Sequence, residues 1–250
     1  MSVTALAGTT ALVTGAGRGF GRGIATSLSQ AGARVIGVAR SPEQLRQLHS
    51  ELGDSFIPVT ADAAAAATAG QLIDAYRPAH LVLNAGATPL LRPLYEHTWE
   101  TFSENWEVDV QHAFRWVREA LSRPLDPGST VITVSSGAAL RGSPLSGGYA
   151  GAKAAIRFLT AYAADEAERA GSGISFRCVL PQLTPATALG SAAVAAYAAR
   201  QGTDISSYLE AAGPALTIDQ VGQAITALIT DPGHDKGAYL LTAAGLAPAP

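Results

Sequence analysis

The chain has 250 residues, 48% of them hydrophobic and 15% charged, and a formal net charge of -3. That is enough apolar material to bury a sizeable core in a single domain, 1–250, and too little charge for a disordered chain. The weak negative balance with scattered arginines argues against nucleic acid as a partner, and the lone Cys178 excludes an intramolecular disulfide or a cysteine-built metal site. No uncharged apolar run reaches the roughly 18 residues of a membrane span, and the first residues carry no basic leader. A soluble, cytoplasmic protein with no membrane partner is expected.

Strand-length apolar runs recur at 10–14, 34–39, 56–60, 80–84, 130–135 and 174–180. Their hydrophobicity is continuous rather than alternating, the pattern of strands covered on both faces. Segments of helical character lie between them, at 21–30, 42–52, 99–121 and 149–170, and the alanine run 63–67 also reads as helix. Ser41-Pro42-Glu43 has the form of an N-cap followed by proline at the first helical position. Strand alternating with helix predicts an α/β, doubly wound (Rossmann-type) parallel sheet with helices on both faces. The stretch 186–215, rich in alanine and punctuated by glycine, is read as a helical pair over the sheet edge, a candidate substrate lid.

After the first strand the chain runs Thr14-Gly15-Ala16-Gly17-Arg18-Gly19-Phe20-Gly21 and enters a helix at once. Gly15, Gly19 and Gly21 let backbone approach a pyrophosphate, and the helix start offers free N–H groups and a positive dipole end. Gly15, Arg18, Gly19, Phe20 and Gly21 are therefore candidate cofactor ligands, a tight turn alone being the plainer reading. The second strand ends in Val38-Ala39-Arg40, where the nucleotide-binding fold often places an acid for a ribose hydroxyl. Arg40 with Arg18 suits a 2'-phosphate instead, so NADP(H) is expected over NAD(H), with NAD(H) use left open; two solvated surface arginines are the alternative. Asp62, past the third strand, is either an acceptor for an adenine amino group or a cap for the alanine helix. Asn84-Ala85-Gly86 ends the fourth strand where a cofactor would cross the sheet edge, or is an ordinary turn.

The fifth strand ends at Ser135-Ser136, and Tyr149 follows with Lys153 four residues on. On a helix these two share a face, so an ammonium can stabilise a phenolate in the same crevice. Lysine suits such a position, because a mobile point charge with three donors serves a phenol and ribose hydroxyls together better than a planar guanidinium.

Taken together, Thr14 to Gly21, Asn84-Ala85-Gly86, Ser136, and Tyr149 with Lys153 resemble the short-chain dehydrogenase/reductase family in order and near-family spacing, over residues 10–180. The resemblance implies hydride transfer between a nicotinamide and a carbonyl or alcohol carbon. By the same resemblance Tyr149 is the general acid/base, Ser136 polarises the carbonyl, and Lys153 binds nicotinamide ribose and tunes Tyr149. It also implies a homodimer or homotetramer through the helices at 99–121 and 149–170. Two departures stand out. The family's helix pattern W-x-V-N-V-x-G-x-F reads Trp106-Glu-Val-Asp-Val-Gln-His-Ala-Phe114 here, so Asp109 replaces an asparagine of a proton relay and His112 replaces a glycine. Asp109 either pairs with Lys153, or is protonated or turned to solvent. His112 is either a second titrating group or a helix-surface or subunit-contact residue. After the sixth strand, Gln182 stands where the family has glycine, and Thr184 or Thr187 takes the place of a threonine near the nicotinamide amide.

Leu90, Leu91, Leu140, Leu145, Leu183, Tyr197 and Tyr208 are candidate pocket residues, and no charged pair in these loops announces a charged substrate, so a neutral small molecule is expected. Two alternatives to carbonyl reduction are reduction of a C=N bond and a non-catalytic NADP(H)-binding sensor or scaffold.

Overall fold

The structure is a computed structural model and describes residues 4–123 and 125–250. Its centre is an eight-stranded sheet in the order β3-β2-β1-β4-β5-β6-β7-β8. The strands are β1 (Thr10–Thr14), β2 (Arg34–Ala39), β3 (Phe56–Thr60), β4 (His80–Leu83), β5 (Thr130–Val134), β6 (Ser175–Pro181), β7 (Ala238–Thr242) and β8 (Gly245–Pro248). All neighbours pair in parallel except β7 and β8, which form an antiparallel pair at the edge. The chain winds outward from β1 to β3, returns to lay β4 beside β1, and winds outward the other way. That reversal opens a crevice above the carboxyl ends of β1 and β4, the place where doubly wound sheets bind ligands.

Continuous hydrophobicity along the strands has the expected consequence. Val13, Val35, Val82, Ile132 and Val179 face one layer, made by α1 (Gly19–Gln30), α2 (Pro42–Leu52) and α10 (Ile218–Thr230), while Leu12, Ile36, Leu81, Val131 and Phe176 face the other, made by α3 (Thr68–Tyr76), α5 (Gln111–Ser122) and α7 (Gly147–Arg169). Ser41 caps α2 as expected, its hydroxyl accepting from the Gln44 N–H at 3.3 Å. Beyond the sheet, α6 (Ala138–Arg141) follows β5, and α8 (Ala188–Arg200) with α9 (Ile205–Ala212) forms the helical pair expected in 186–215. No helix among the described residues is long and apolar enough to cross a membrane.

Three local expectations are corrected. The alanine run 63–67 is not helical, and α3 begins only at Thr68. Tertiary bonds override alanine's propensity: the Ala63 carbonyl accepts from Trp116 Nε1 at 2.8 Å and the Ala64 carbonyl from the Arg115 guanidinium, so neither is spent within a helix. The helix at 99–121 is not continuous. It comprises α4 (Trp99–Asn105), a π turn over Trp106–Val110, and α5. Strands β7 and β8, finally, lie beyond the six strand-length runs and had no counterpart among them.

α4 crosses α7 at close range because α7 begins with two glycines. A Cβ at Gly148 would overlap the Phe102 carbonyl oxygen, and one at Gly151 would press on the Trp106 ring, whose Nε1 donates to the Gly148 carbonyl at 3.1 Å. Gly148→Ala is expected to cost about 2 kcal/mol despite alanine's better helix propensity, because the obstruction is backbone that cannot rotate away. A urea-unfolding midpoint equal to the parent's would show that the crossing tolerates a methyl group.

Candidate active site

A cleft of about 2000 Å³ runs along the carboxyl edge of the sheet. Its lining includes the candidates Gly15, Arg18, Gly19, Phe20, Arg40, Asp62, Asn84, Ala85, Gly86, Asp109, Ser136, Tyr149, Lys153 and Thr184. Gly21 is set apart from this wall. A Cβ there would overlap the Gly15 carbonyl oxygen, so its glycine character serves the packing of α1 on the turn rather than contact with a ligand.

At the nucleotide end, Gly15 and Gly19 adopt φ of 70° and 54°, the left-handed region that disfavours a side chain. α1 starts with no side-chain cap and no acidic residue in its first turn. Its first N–H groups therefore have no intrahelical acceptor and present a positive dipole end to the cleft. Thr14 and Asn84 hold the two central strand ends together. The Thr14 hydroxyl accepts from Asn84 N–H at 3.0 Å and Ala85 N–H at 3.2 Å, and Asn84 Nδ2 donates to the Thr14 carbonyl at 3.2 Å. Arg18 and Arg40 are exposed on this wall and, among the described residues, form no ion pair. Asp62 is exposed; its Oδ1 accepts from Ala64 N–H at 2.9 Å, so it caps a turn and no helix follows at once. Ser41 and Gln44 also line this end, without having been singled out in the sequence, where they read only as cap and helix residues. An uncapped helix start, a glycine turn and two unpaired guanidiniums fit the phosphates of a dinucleotide.

The catalytic end is built on a buried ion pair. Lys153 Nζ lies 3.2 Å from Asp109 Oδ2, the two side chains being 7% and 1% exposed. Nζ also donates to the Val134 carbonyl at 3.3 Å and sits 5.5 Å from the centre of the Tyr149 ring. Asp109 Oδ1 accepts from the Ala87 N–H at 2.7 Å, which ties the π turn to the loop that follows Gly86. Burial alone pulls the ammonium toward its neutral form, but the charge of Asp109, then Tyr149, outweighs it and holds the Lys153 pKa above the ordinary lysine value. The raised folded-state value means that its stabilising contribution is whole below the ordinary lysine range and is lost only as pH climbs through that raised value. Of the alternatives open for Asp109, pairing with Lys153 is the one observed.

His112 is neither a surface nor a contact histidine. It is 2% exposed, packs edge-on to Trp116, and has its pKa pushed down to about 3 by burial and by the Lys153 charge, which leaves a neutral imidazole. Its Nε2 is buried and, among the described residues, has no hydrogen-bond partner. Nothing in its spacing distinguishes it from a surface residue, because the π turn changes which face of the helix is inward.

Ser136 is half-buried beside the cleft, and its Oγ accepts from Ala138 N–H at 3.2 Å. Gln182 fills the glycine position without backbone strain, since among the described residues only Arg77 combines a side chain with positive φ, and its Nε2 ties the loop to the Pro214 carbonyl at 3.0 Å. The Thr184 hydroxyl is committed to the Leu216 carbonyl at 2.5 Å, while Thr187 caps α8 through Gly190 N–H at 3.0 Å. Of the apolar candidates, Leu91, Leu140, Leu183, Tyr197 and Tyr208 line the cleft. Leu145 does not: it is 6% exposed and packed inside, its carbonyl accepting from Arg92 N–H at 2.8 Å. Leu90 lies in a small neighbouring recess.

The sequence profile of the short chain dehydrogenases matches residues 9–198. This chain belongs to that family. Human (Homo sapiens) L-xylulose reductase is 33% identical over 159 residues, 62% of this chain, and the matched stretch spans 64% of that protein, less than two thirds of its length. A chloroplastic NADPH-dependent aldehyde reductase-like protein of Arabidopsis thaliana is 30% identical over 199 residues, 70% of this chain and 72% of its own. Among solved structures, a candidate NAD(P)-dependent gluconate 5-dehydrogenase from Beutenbergia cavernae with bound NADP superposes with a TM-score of 0.79 at 30% identity over 96% of each chain.

For this family member, Asp109→Asn leaves Lys153 buried without a counter-charge. The expected loss is about 3–5 kcal/mol of stability, read by urea unfolding at neutral pH. In the soluble fraction the alkaline limb of the pH–rate profile moves to lower pH, because the lysine holds its proton less tightly; an unmoved limb would remove Asp109 from the proton machinery.

Proposed function

We propose that this chain is an NADPH-dependent oxidoreductase that reduces a carbonyl compound and, in reverse, oxidises the alcohol. The observation that carries the reading is the meeting, in one cleft, of Ser136, Tyr149 and a buried, charged Lys153 with the uncapped start of α1 and its glycine turn. The nicotinamide, when bound, supplies or accepts the hydride. Tyr149 gives its phenolic proton to the developing alkoxide, and takes one back in the oxidative direction. Lys153 keeps its positive charge beneath the phenol and steadies the phenolate as it forms. Ser136 donates to the carbonyl oxygen and fixes its direction, while Asp109 holds Lys153 in place and keeps it protonated. Tyr149→Phe is expected to reduce kcat by a factor of about 10²–10⁴ while NADPH binding persists, measured by loss of reduced-nicotinamide absorbance beside a binding titration.

Cofactor preference rests on Arg18 and Arg40, two exposed guanidiniums on the wall where an acid for the ribose hydroxyl is missing. The NADPH-dependent plant relative and the NADP-bound structural relative agree with that reading. Arg40→Asp is expected to lower the NADPH-to-NADH ratio of kcat/KM by about tenfold or more, since a charge-assisted phosphate contact becomes a repulsion. An unchanged ratio would rule Arg40 out as the discriminator.

Reduction of a C=N bond is the weaker reading, because the two residues beside the candidate catalytic set that would steady a cationic iminium are not open to it: Asp109 is committed to Lys153, and His112 is neutral. A non-catalytic sensor would have no use for so complete a proton-transfer set. The chain is read as cytoplasmic, with α8 and α9 as the substrate lid. A homodimer or homotetramer through α4, α5 and α7 is favoured by the exposed aromatics there: Trp99, Trp106 and Phe114 on the first two elements and the π turn between them, with Phe158 stacked on Tyr162 along α7.

A further inference from the structure

A line of hydroxyls leads away from Tyr149. Ser146 lies one turn before it, and Ser146 Oγ is 2.6 Å from Ser143 Oγ, which is hydrogen-bonded in turn to the Tyr197 hydroxyl of α8. Ser143 comes two residues after Arg141, the last residue of α6, and Tyr197 lies one turn before Arg200, the last residue of α8. The Ser143–Tyr197 bond therefore brings together the ends of two helices far apart in sequence, each closing on an arginine. Both arginines line the cleft, both are exposed, and among the described residues neither forms an ion pair.

A cation at a helix C-terminus is ordinary dipole complementarity, and each arginine taken alone would need no further account. The placement of both on one cleft, by two elements tied together through Ser143 and Tyr197, is not explained that way. Of the carboxylate side chains on the cleft, Asp62 belongs to the nucleotide end, Asp109 is held by Lys153, and Glu104 forms no ion pair among the described residues. The cleft thus offers two planar guanidiniums and a row of hydroxyls, and among the described residues no carboxylate side chain is paired with either guanidinium.

We propose that this cleft binds an anionic group, a carboxylate or phosphate, carried by the carbonyl substrate several bonds from the reacting carbon, with Arg141 and Arg200 as its cationic contacts. Guanidinium forks match both anions, and the hydroxyls of Ser143 and Tyr197 add donors on the same cleft. The inference rests on the reductase reading and deepens it by naming the substrate class. Reading each loop alone favours a neutral substrate, because only the α6–α8 contact ties together the elements that carry the two charges.

The test is steady-state kinetics with NADPH on a keto acid, its methyl ester and the corresponding keto phosphate. Wild type is compared with Arg141→Gln, Arg200→Gln and the double variant; Arg169→Gln, at the exposed end of α7 and outside the cleft, is the control. Glutamine removes the charge and keeps a donor. The expected result is an anion-to-ester ratio of kcat/KM that falls about tenfold in the double variant, mainly through KM, falls with added salt, and holds in the control. Comparing acid with phosphate identifies which anion is preferred. Equal rates on anion and ester in wild type, or a preference that the double variant keeps, would overturn the anion site while leaving the reductase reading intact. Should no carbonyl compound turn over, that reading fails instead, and calorimetric titration of the keto acid into the enzyme with NADPH decides the anion site: binding lost in the double variant supports it, and no binding to wild type overturns it.

Discussion

A lysine buried to this degree is tolerable only where something compensates its charge, and much of the catalytic half of this protein is arranged to provide that compensation. Asp109 reaches Lys153 because α4 crosses α7 over Gly148, and because the π turn presents Asp109 inward just after that crossing. The same carboxylate takes the Ala87 N–H, so the loop after β4, the π turn and α7 share one electrostatic knot. Its cost in desolvation is balanced only while both partners remain. The ion pair thus joins the geometry of the fold to the protonation of its chemistry.

At the other end of the cleft the constraint is steric. The turn after β1 must approach both α1 and the end of β4, and it does so with Gly15 in the left-handed region and Gly21 against its carbonyl. Thr14 and Asn84 satisfy one another's backbone groups across the reversal in strand order. The first α1 N–H groups are left over because, among the described residues, no side chain caps them. A candidate anion site of this kind is made by what the protein declines to satisfy.

Features set by local chemistry were legible in the sequence. Continuous runs of Val, Leu and Ile gave strand positions to within about a residue, Ser41-Pro42 marked the start of α2, and the i, i+4 spacing of Tyr149 and Lys153 announced a shared face. Asp109 was identifiable only against the family pattern, and its partner only from the fold. Features set by distant contacts were illegible. Alanines at 63–67 have the highest helix propensity, yet Arg115 and Trp116 claim their carbonyls from α5, far along the chain. His112 lies in a segment whose α-helical phase is broken just before it, so periodicity could not report its burial. The contact of Ser143 with Tyr197 joins segments that no spacing rule connects.

The π turn at Trp106–Val110 acts as a phase shifter in an otherwise continuous helix. One wide turn holds an extra residue relative to α-helix, which amounts to an offset of about 100° between the helical faces on its two sides. Upstream, Phe102 packs toward α7; downstream, Trp116 and Val117 are inserted in the sheet-facing core. A uniform α-helix would serve one of these surfaces and miss the other. The segment therefore works like a gear tooth inserted between two racks of different pitch: removing a single residue would keep the helix and its composition while disengaging the carboxylate from its lysine.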